Sequence, residues 1–450
     1  MNNSNVLDSQ KQLWGHPVGL YVLFFTEMWE RFSYYGMRAI LVLYLVAEST
    51  EGAINPGLNW ETGEALALYG TYTMLVYVAS IPGGWIADNI LGQKKSVLYG
   101  GILLVLGHSI LAYEELWAFY TGLGLIIAGV GMLKPNISSM VGGLYSQGDV
   151  RRDKGFIIFY IGINVGAFLS SLIVGYVGET YGWHYGFGLA GIGMTLGLIQ
   201  YMLGQKYLSG VGDFIGDSSS NDQNNALNIP LTKIEKDRLV VLFLSFILVI
   251  VFWGAFEQAG GLMNIYASEK TDRMLMGWEV PASWFQSLNA MFIIFLGTIV
   301  ATYWAKRKLK NKLSSSLFKM IIGLIIMGTG FFFMSAAATQ YETQGSSAMY
   351  WLVLAYLFHT IGELCISPVA LSFITKLAPL KYASLTMGVY FAMTGFGNKL
   401  AGWLGEASVS LGEFTIFTGI AVFCVVFGLL VLVFRNKLES LTHGAEEDIK

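Results

Sequence analysis

Apolar residues come in long blocks along this chain, separated by short polar stretches. Windows of about twenty mostly apolar residues, long enough to cross a ~30 Å hydrocarbon core, fall at roughly 17–46, 64–87, 95–113, 116–144, 154–177, 186–204, 238–263, 284–305, 316–337, 348–375, 382–405 and 412–434. No extended stretch alternates apolar and polar residues as a barrel strand would, so these windows predict helices. The break between the third and fourth rests on Glu114-Glu115. The expected class is an all-α membrane protein with twelve transmembrane helices. Composition agrees: 54% of residues are apolar and 13% charged, against roughly 25% charged in soluble domains. A net charge of −3 gives no footprint for a nucleic-acid partner. Cys365 and Cys424 both lie in apolar stretches, which argues against a disulfide framework, and no Cys/His or HExxH spacing suggests a metal. The first sixteen residues lack the layout of a cleavable leader, so the first apolar span is expected to remain as a signal-anchor.

Basic residues predict the orientation. With residues in the first turn of a span counted with the adjoining loop, 21 Lys/Arg fall on one side, two (Lys270 and Arg273) on the other and four inside spans. The basic side is therefore expected to be cytoplasmic, with both termini inside, in the cell (plasma or inner) membrane. Between spans six and seven lies a polar stretch, about 205–237, including the run from Gly216 to Asn225. It reads as a flexible cytoplasmic linker and divides the chain into an N-terminal six-helix bundle, 1–204, and a C-terminal one, 238–450. Two six-helix halves joined by a cytoplasmic linker are the layout of the major facilitator fold, in which two bundles rock about a site near the midplane.

Charges inside the spans carry most of the functional information. Span one holds Glu27, Glu30, Arg31 and Arg38. At about 2.5–3.5 kcal/mol per central charge, four would cost roughly 10–14 kcal/mol before pairing, so a lipid-facing stripe is excluded. Positions 27, 30, 31, 34, 35 and 38 follow i, i+3, i+4, i+7, i+8, i+11 and share one helical face, which adds Tyr34 and Tyr35 to the charges. A static ion-pair cluster would give the same pattern. Lys134 in span four, Glu257 in span seven and Glu363 in span ten are further intramembrane charges. At 1.5 Å per residue, Arg38 and Glu257 lie toward the outer ends of their spans, while Lys134 and Glu363 lie in the inner halves. Depth alone thus suggests Arg38 with Glu257 as an outer gate and Lys134 with Glu363 as an inner gate.

At these residues the chain resembles a known family. Glu27-Met-Trp-Glu-Arg-Phe-Ser-Tyr-Tyr-Gly-Met-Arg38 is similar to the ExxERFxYYG signature of the proton-dependent oligopeptide transporter family. Gly83-Gly84-Trp-Ile-Ala-Asp88 through Gly92 resembles that family's loop after helix two. Gly131-Met-Leu-Lys-Pro-Asn136 and Phe159-Tyr160-Ile-Gly-Ile-Asn-Val-Gly166 resemble its helix-four and helix-five motifs. Phe252-Trp253 to Glu257-Gln258, Ser283-Trp-Phe-Gln-Ser-Leu-Asn289 and Gly362-Glu-Leu-Cys-Ile-Ser-Pro368 do so in the second half. The motifs occur in order over essentially all twelve spans.

The resemblance implies a proton-coupled symporter that imports di- and tripeptides by alternating access. It is expected to be no enzyme and to need no cofactor beyond the proton gradient. Its implied partners are peptides, peptide-like drugs, protons and the bilayer, and a monomer is expected. Glu27, Glu30, Arg31 and Glu257 would couple to protons. Arg38 and Lys134, with Tyr34, Tyr35 and Tyr77, would hold the peptide carboxylate, and Asn164, Asn289 and Glu363 its amino end. Trp284 and Ser367 join the substrate site. Tyr69, Tyr72, Tyr160, Trp253 and Phe285 are further candidates to line it, although aromatics are also common at helix interfaces. Three departures stand out. The two extra inter-bundle helices of many bacterial members are missing, a tryptophan expected near Tyr390 is absent, and span two lacks the histidine used by animal relatives. The last would place proton coupling on carboxylates. Other solutes carried on the same scaffold, such as nitrate, remain the nearest alternative, and a membrane-embedded enzyme is a more distant one.

Overall fold

The computed structural model describes residues 11–49, 55–146, 149, 151–214, 231–379 and 383–445. Among them twelve long helical runs follow one another. They are α1 (Val18–Val46), α2 (Thr62–Val78), α3 (Gln93–Leu111), α4 (Leu116–Gly143), α5 (Arg152–Tyr181), α6 (Trp183–Gly204), α7 (Lys233–Phe256), α8 (Trp284–Leu309), α9 (Ser316–Gln344), α10 (Met349–Leu377), α11 (Ala383–Leu411) and α12 (Glu413–Ser440). Nine runs among the described residues are long and apolar enough to cross a membrane; α1, with its four charges, α3 and α11 are the other three. Three pairs of two-residue strands complete the described elements.

The helices stop where the chain supplies a stop. Gly92, Gly182 and Gly412, at φ of 77°, 143° and 78°, separate neighbouring helices, a conformation open to glycine because it has no Cβ. Thr232 starts α7 with a reciprocal capping box to Glu235, which satisfies two of the backbone donors left open at a helix start. The segment from Gly83 to Gly92, which resembles the family's loop after helix two, is helical through Ser80–Ile86, inside the apolar window 64–87, and a π-helical turn at Ala87–Leu91 carries it past that window's end.

Internal contacts divide the chain into two compact units. One comprises Met1–Trp60 and Leu75–Gly216, the other Glu61–Met74 and Asp217–Lys450. In the first unit α1 packs against α5 and α6, and α3 against α4 and α6. In the second, α9 packs against α10 and α12, α7 against α11, and α8 against α10. The first unit includes residues beyond α6. Gln205–Leu208 form a short 3₁₀ turn, the Lys94 N–H donates to the Gly212 carbonyl at 2.8 Å, and the Lys94 ammonium pairs with Asp213 at 2.8 Å. The polar run from Gly216 to Asn225 lies outside the described residues.

A clip joins the starts of α1 and α5. His16 Nδ1 hydrogen-bonds the Tyr145 hydroxyl at 2.8 Å, and Arg151 donates to the Gly15 carbonyl at 3.2 Å. Burial and the Arg151 charge hold His16 below the ordinary histidine range. The Arg151 side chain and N–H hold the Asp149 carboxyl below its usual range in turn.

Candidate functional site

The charged face of α1 is built as the helical spacing predicts. Arg31 Nε donates to Glu27 Oε1 at 2.8 Å, one turn away, and lies 2.9 Å from Glu30 Oε2. All three are nearly sealed, at 4%, 1% and 0% exposure. Two carboxylates therefore share one guanidinium. Among the described residues neither Glu30 oxygen has a hydrogen-bond donor, so its pairing with Arg31 is ionic. The Lys134 ammonium also acts on the Glu30 charge.

Tyrosines arrange the cations. The Tyr35 ring lies 5.9 Å from the Arg31 guanidinium and 4.7 Å from that of Arg38, with Tyr34 edge-on to it at 5.4 Å. The Lys134 ammonium sits 3.7 Å from the centre of the Tyr77 ring, a cation–π contact. Small residues bring α4 to this position: a Cβ on Gly83 would lie 2.0 Å from the Gly131 carbonyl oxygen, and one on Gly131 2.6 Å from that of Ala79. Asn164 is buried on α5 and bonds the Tyr160 carbonyl of its own helix at 2.9 Å.

A glycine also sets the approach of α5 to the charged face. A Cβ on Gly166 would lie 2.2 Å from the Met28 carbonyl oxygen and 3.0 Å from Arg31 Cβ. Gly166→Ala should therefore destabilise the protein by about 1–3 kcal/mol through overpacking, seen as earlier thermal unfolding of the purified protein. Unfolding unchanged from the parent would show that α5 has slack to move away.

The second unit holds the remaining candidates. Asn289 on α8 donates to Glu363 Oε2 at 2.7 Å and to Thr360 Oγ1 at 3.1 Å, both on α10. Thr360 donates to the Tyr356 carbonyl at 2.7 Å, and the Tyr356 hydroxyl to the Ala259 carbonyl at 3.3 Å. Ser367, one turn beyond Glu363, has a buried hydroxyl with no hydrogen-bond partner among the described residues. Trp284, at the start of α8, packs on Trp278 with ring centres 5.1 Å apart. Trp253 packs edge-on against Phe252 and Phe256, and a Cβ on Gly397 would lie 2.7 Å from its Cβ, as at a helix interface.

Glu257 sits where α7 breaks. The α-helix ends at Phe256, a 3₁₀ turn covers Glu257–Ala259, Gly260 and Gly261 follow, and helix resumes at Leu262–Glu269. Glu257 is 2% exposed, and its Oε2 accepts a hydrogen bond from the Tyr69 hydroxyl at 2.9 Å. Residue pattern marks Tyr69 only as a possible lining residue. The tandem glycine just after an intramembrane carboxylate is the signal that could have located the break.

Comparison with known proteins gives a consistent answer. Residues 94–218 and 219–411 match the model of the POT family. The uncharacterized transporter YclF of Bacillus subtilis (strain 168) is 38% identical over 99% of both chains. The peptide transporter YePEPT of Yersinia enterocolitica subsp. palearctica is 34% identical over 99% of this chain and all of its own. Among solved structures, the crystal structure of peptide transporter POT in complex with sulfate is 34% identical, covers 98% of this chain and 99% of its own, and superimposes with a TM-score of 0.90.

Proposed function

Because this chain belongs to the POT family and has its all-α major facilitator fold, we propose that it is a proton-coupled symporter importing di- and tripeptides by alternating access. One observation favours a peptide over a simple anion. Glu363 is held by the Asn289 amide, an acid and an amide suited to an ammonium group, which an anion carrier would not need. The name of the Yersinia relative supports the same substrate class. Arg38 and Lys134, each against a tyrosine ring, supply charge for a peptide carboxylate. A zwitterionic backbone is the part common to all small peptides, so its two ends are the natural points of recognition.

In this reading Tyr34, Tyr35, Arg38, Tyr77 and Lys134 serve the carboxylate end, and Asn164, Asn289, Glu363 and Ser367 the amino end, with Trp284 beside the side chains. Glu27, Glu30, Arg31 and Glu257 carry the proton linkage. The gate assignments, Arg38 with Glu257 and Lys134 with Glu363, rest on position along the helices alone. The basic side of the chain is cytoplasmic and holds both termini, the location is the cell membrane, and the working unit is a monomer without cofactor. One proton moving down ~100 mV and one pH unit yields about 3.7 kcal/mol, enough for a roughly 500-fold peptide gradient.

Uptake of labelled dialanine by sealed proteoliposomes with an inward proton gradient tests this. Accumulation above the outside concentration is expected, abolished by an uncoupler and inhibited by unrelated dipeptides but not by free amino acids. Saturable uptake of an inorganic anion without any uptake of dialanine would overturn it.

A further inference from the structure

Three hydrogen bonds hold α2 between Tyr69 and Thr73, and the transport roles above use none of them. Tyr69 donates to Glu257 Oε2 at 2.9 Å. From α11, Lys399 donates to Thr71 Oγ1 at 2.6 Å and Asn398 to the Thr73 carbonyl at 3.4 Å. The position of Lys399, near the outer end of a span, favours a side chain reaching out to water; instead it is bound to α2. Glycines bring the helices this close. A Cβ on Gly70 would lie 2.7 Å from Gly402 Cα, and one on Gly260 2.0 Å from the Tyr69 hydroxyl oxygen. The break in α7, the glycine at 260 and the tyrosine therefore form a fitted set: only without a side chain at 260 does the hydroxyl reach the carboxylate.

We propose that Tyr69 is a positioning residue for Glu257, and that through it the protonation of Glu257 controls whether the Tyr69–Thr73 stretch of α2 stays packed on α7 and α11. The proposal rests on the reading of Glu257 as proton-linked. A hydroxyl donates more strongly to a charged carboxylate than to a neutral acid. A proton arriving from solvent on Glu257 weakens this bond, while Tyr69 keeps its own proton. Two further hydrogen bonds steady the break: Gln258 donates to the Ala401 carbonyl at 3.1 Å, and Tyr356 of α10 donates to the Ala259 carbonyl. Lys399 and Asn398, whose bonds do not involve Glu257, then act as fastenings that set how readily this stretch lifts.

The decisive readout needs no substrate. Thr73 is fully buried on this stretch, so Thr73→Cys, with Cys365→Ser and Cys424→Ser, reports its release through the rate of maleimide labelling in proteoliposomes, corrected for thiol reactivity at each pH. The full-length parent should label about tenfold faster at pH 5 than at pH 7, the change expected for one hydrogen bond to a charged group. Tyr69→Phe should bring that ratio to about 1, and Gly260→Ala, which displaces the hydroxyl without removing it, should do the same. Combining the two should add nothing. A ratio in Tyr69→Phe equal to the parent's, or a parent with no pH response, would overturn the proposal. Dialanine accumulation by the parent is measured in the same vesicles. Its absence alongside the expected labelling would count against the peptide reading and leave the Tyr69 assignment standing.

Discussion

Arg31→Met is expected to lose most of the folded, monodisperse protein, and with it transport. Arg31 is the shared counter-charge of Glu27 and Glu30, at 2.8 and 2.9 Å, inside a helix where water cannot take over its role. Removing one partner of a buried ion pair costs about 3–5 kcal/mol, and here two carboxylates lose their partner together. That is a large share of the roughly 5–15 kcal/mol that stabilises a typical domain. Yield after detergent extraction and thermal unfolding are the measurements. Glu27→Gln and Glu30→Gln added to Arg31→Met should restore folding, because the site is then neutral at nearly constant volume. The triple variant also separates the two readings of the cluster. Restored folding without proton-driven accumulation assigns it to coupling, whereas restored folding with full accumulation would make it a static lock. Arg31→Met as stable as the parent would show that the three groups are not energetically linked.

The helices were legible because the bilayer supplies an external ruler: each apolar window is measured against a fixed thickness, and the windows fall within several residues of the observed helices. The α1 cluster was legible for a related reason. Charges at 27, 30, 31 and 38 are so costly in hydrocarbon that their common face must turn inward, and the i, i+4 spacing of Glu27 and Arg31 already made them neighbours. What stayed hidden depends on the partner helix. Nothing in the sequence around Gly166 says that its missing Cβ admits the Met28 carbonyl, nor does Gly260 announce the Tyr69 hydroxyl. Tyr69 itself reads as one aromatic among several, since a pattern of residues shows where a phenol stands along its helix but not what its hydroxyl meets. The end of the second span stayed hidden for another reason. Glycine and aspartate are ordinary stop signals, yet Gly83 serves close packing on Gly131 and the chain stays helical through Leu91, past the apolar window's end at 87.

Glu30→Gln should separate exchange from accumulation. Glu30 is fully buried, its pairing with Arg31 is ionic rather than a hydrogen bond, and the Lys134 charge acts on it. Its charge thus responds both to Arg31 and to the lysine assigned to the peptide carboxylate. Glutamine keeps its size and polarity but can neither take up nor release a proton, so Arg31 retains Glu27 and the fold should survive. A carrier so altered can still bind peptide and change conformation. Exchange of labelled for unlabelled dialanine without any gradient should stay within a few-fold of the parent. Accumulation driven by the proton gradient, for which one proton could sustain roughly 500-fold, should fall to simple equilibration. The pH dependence of exchange should also flatten, since the variant has lost a titrating group. Loss of exchange and accumulation in equal proportion would give Glu30 a binding or structural role. Accumulation equal to the parent's would move proton coupling to the remaining carboxylates, with Glu257 as the first to examine because its hydrogen bond comes from a different helix.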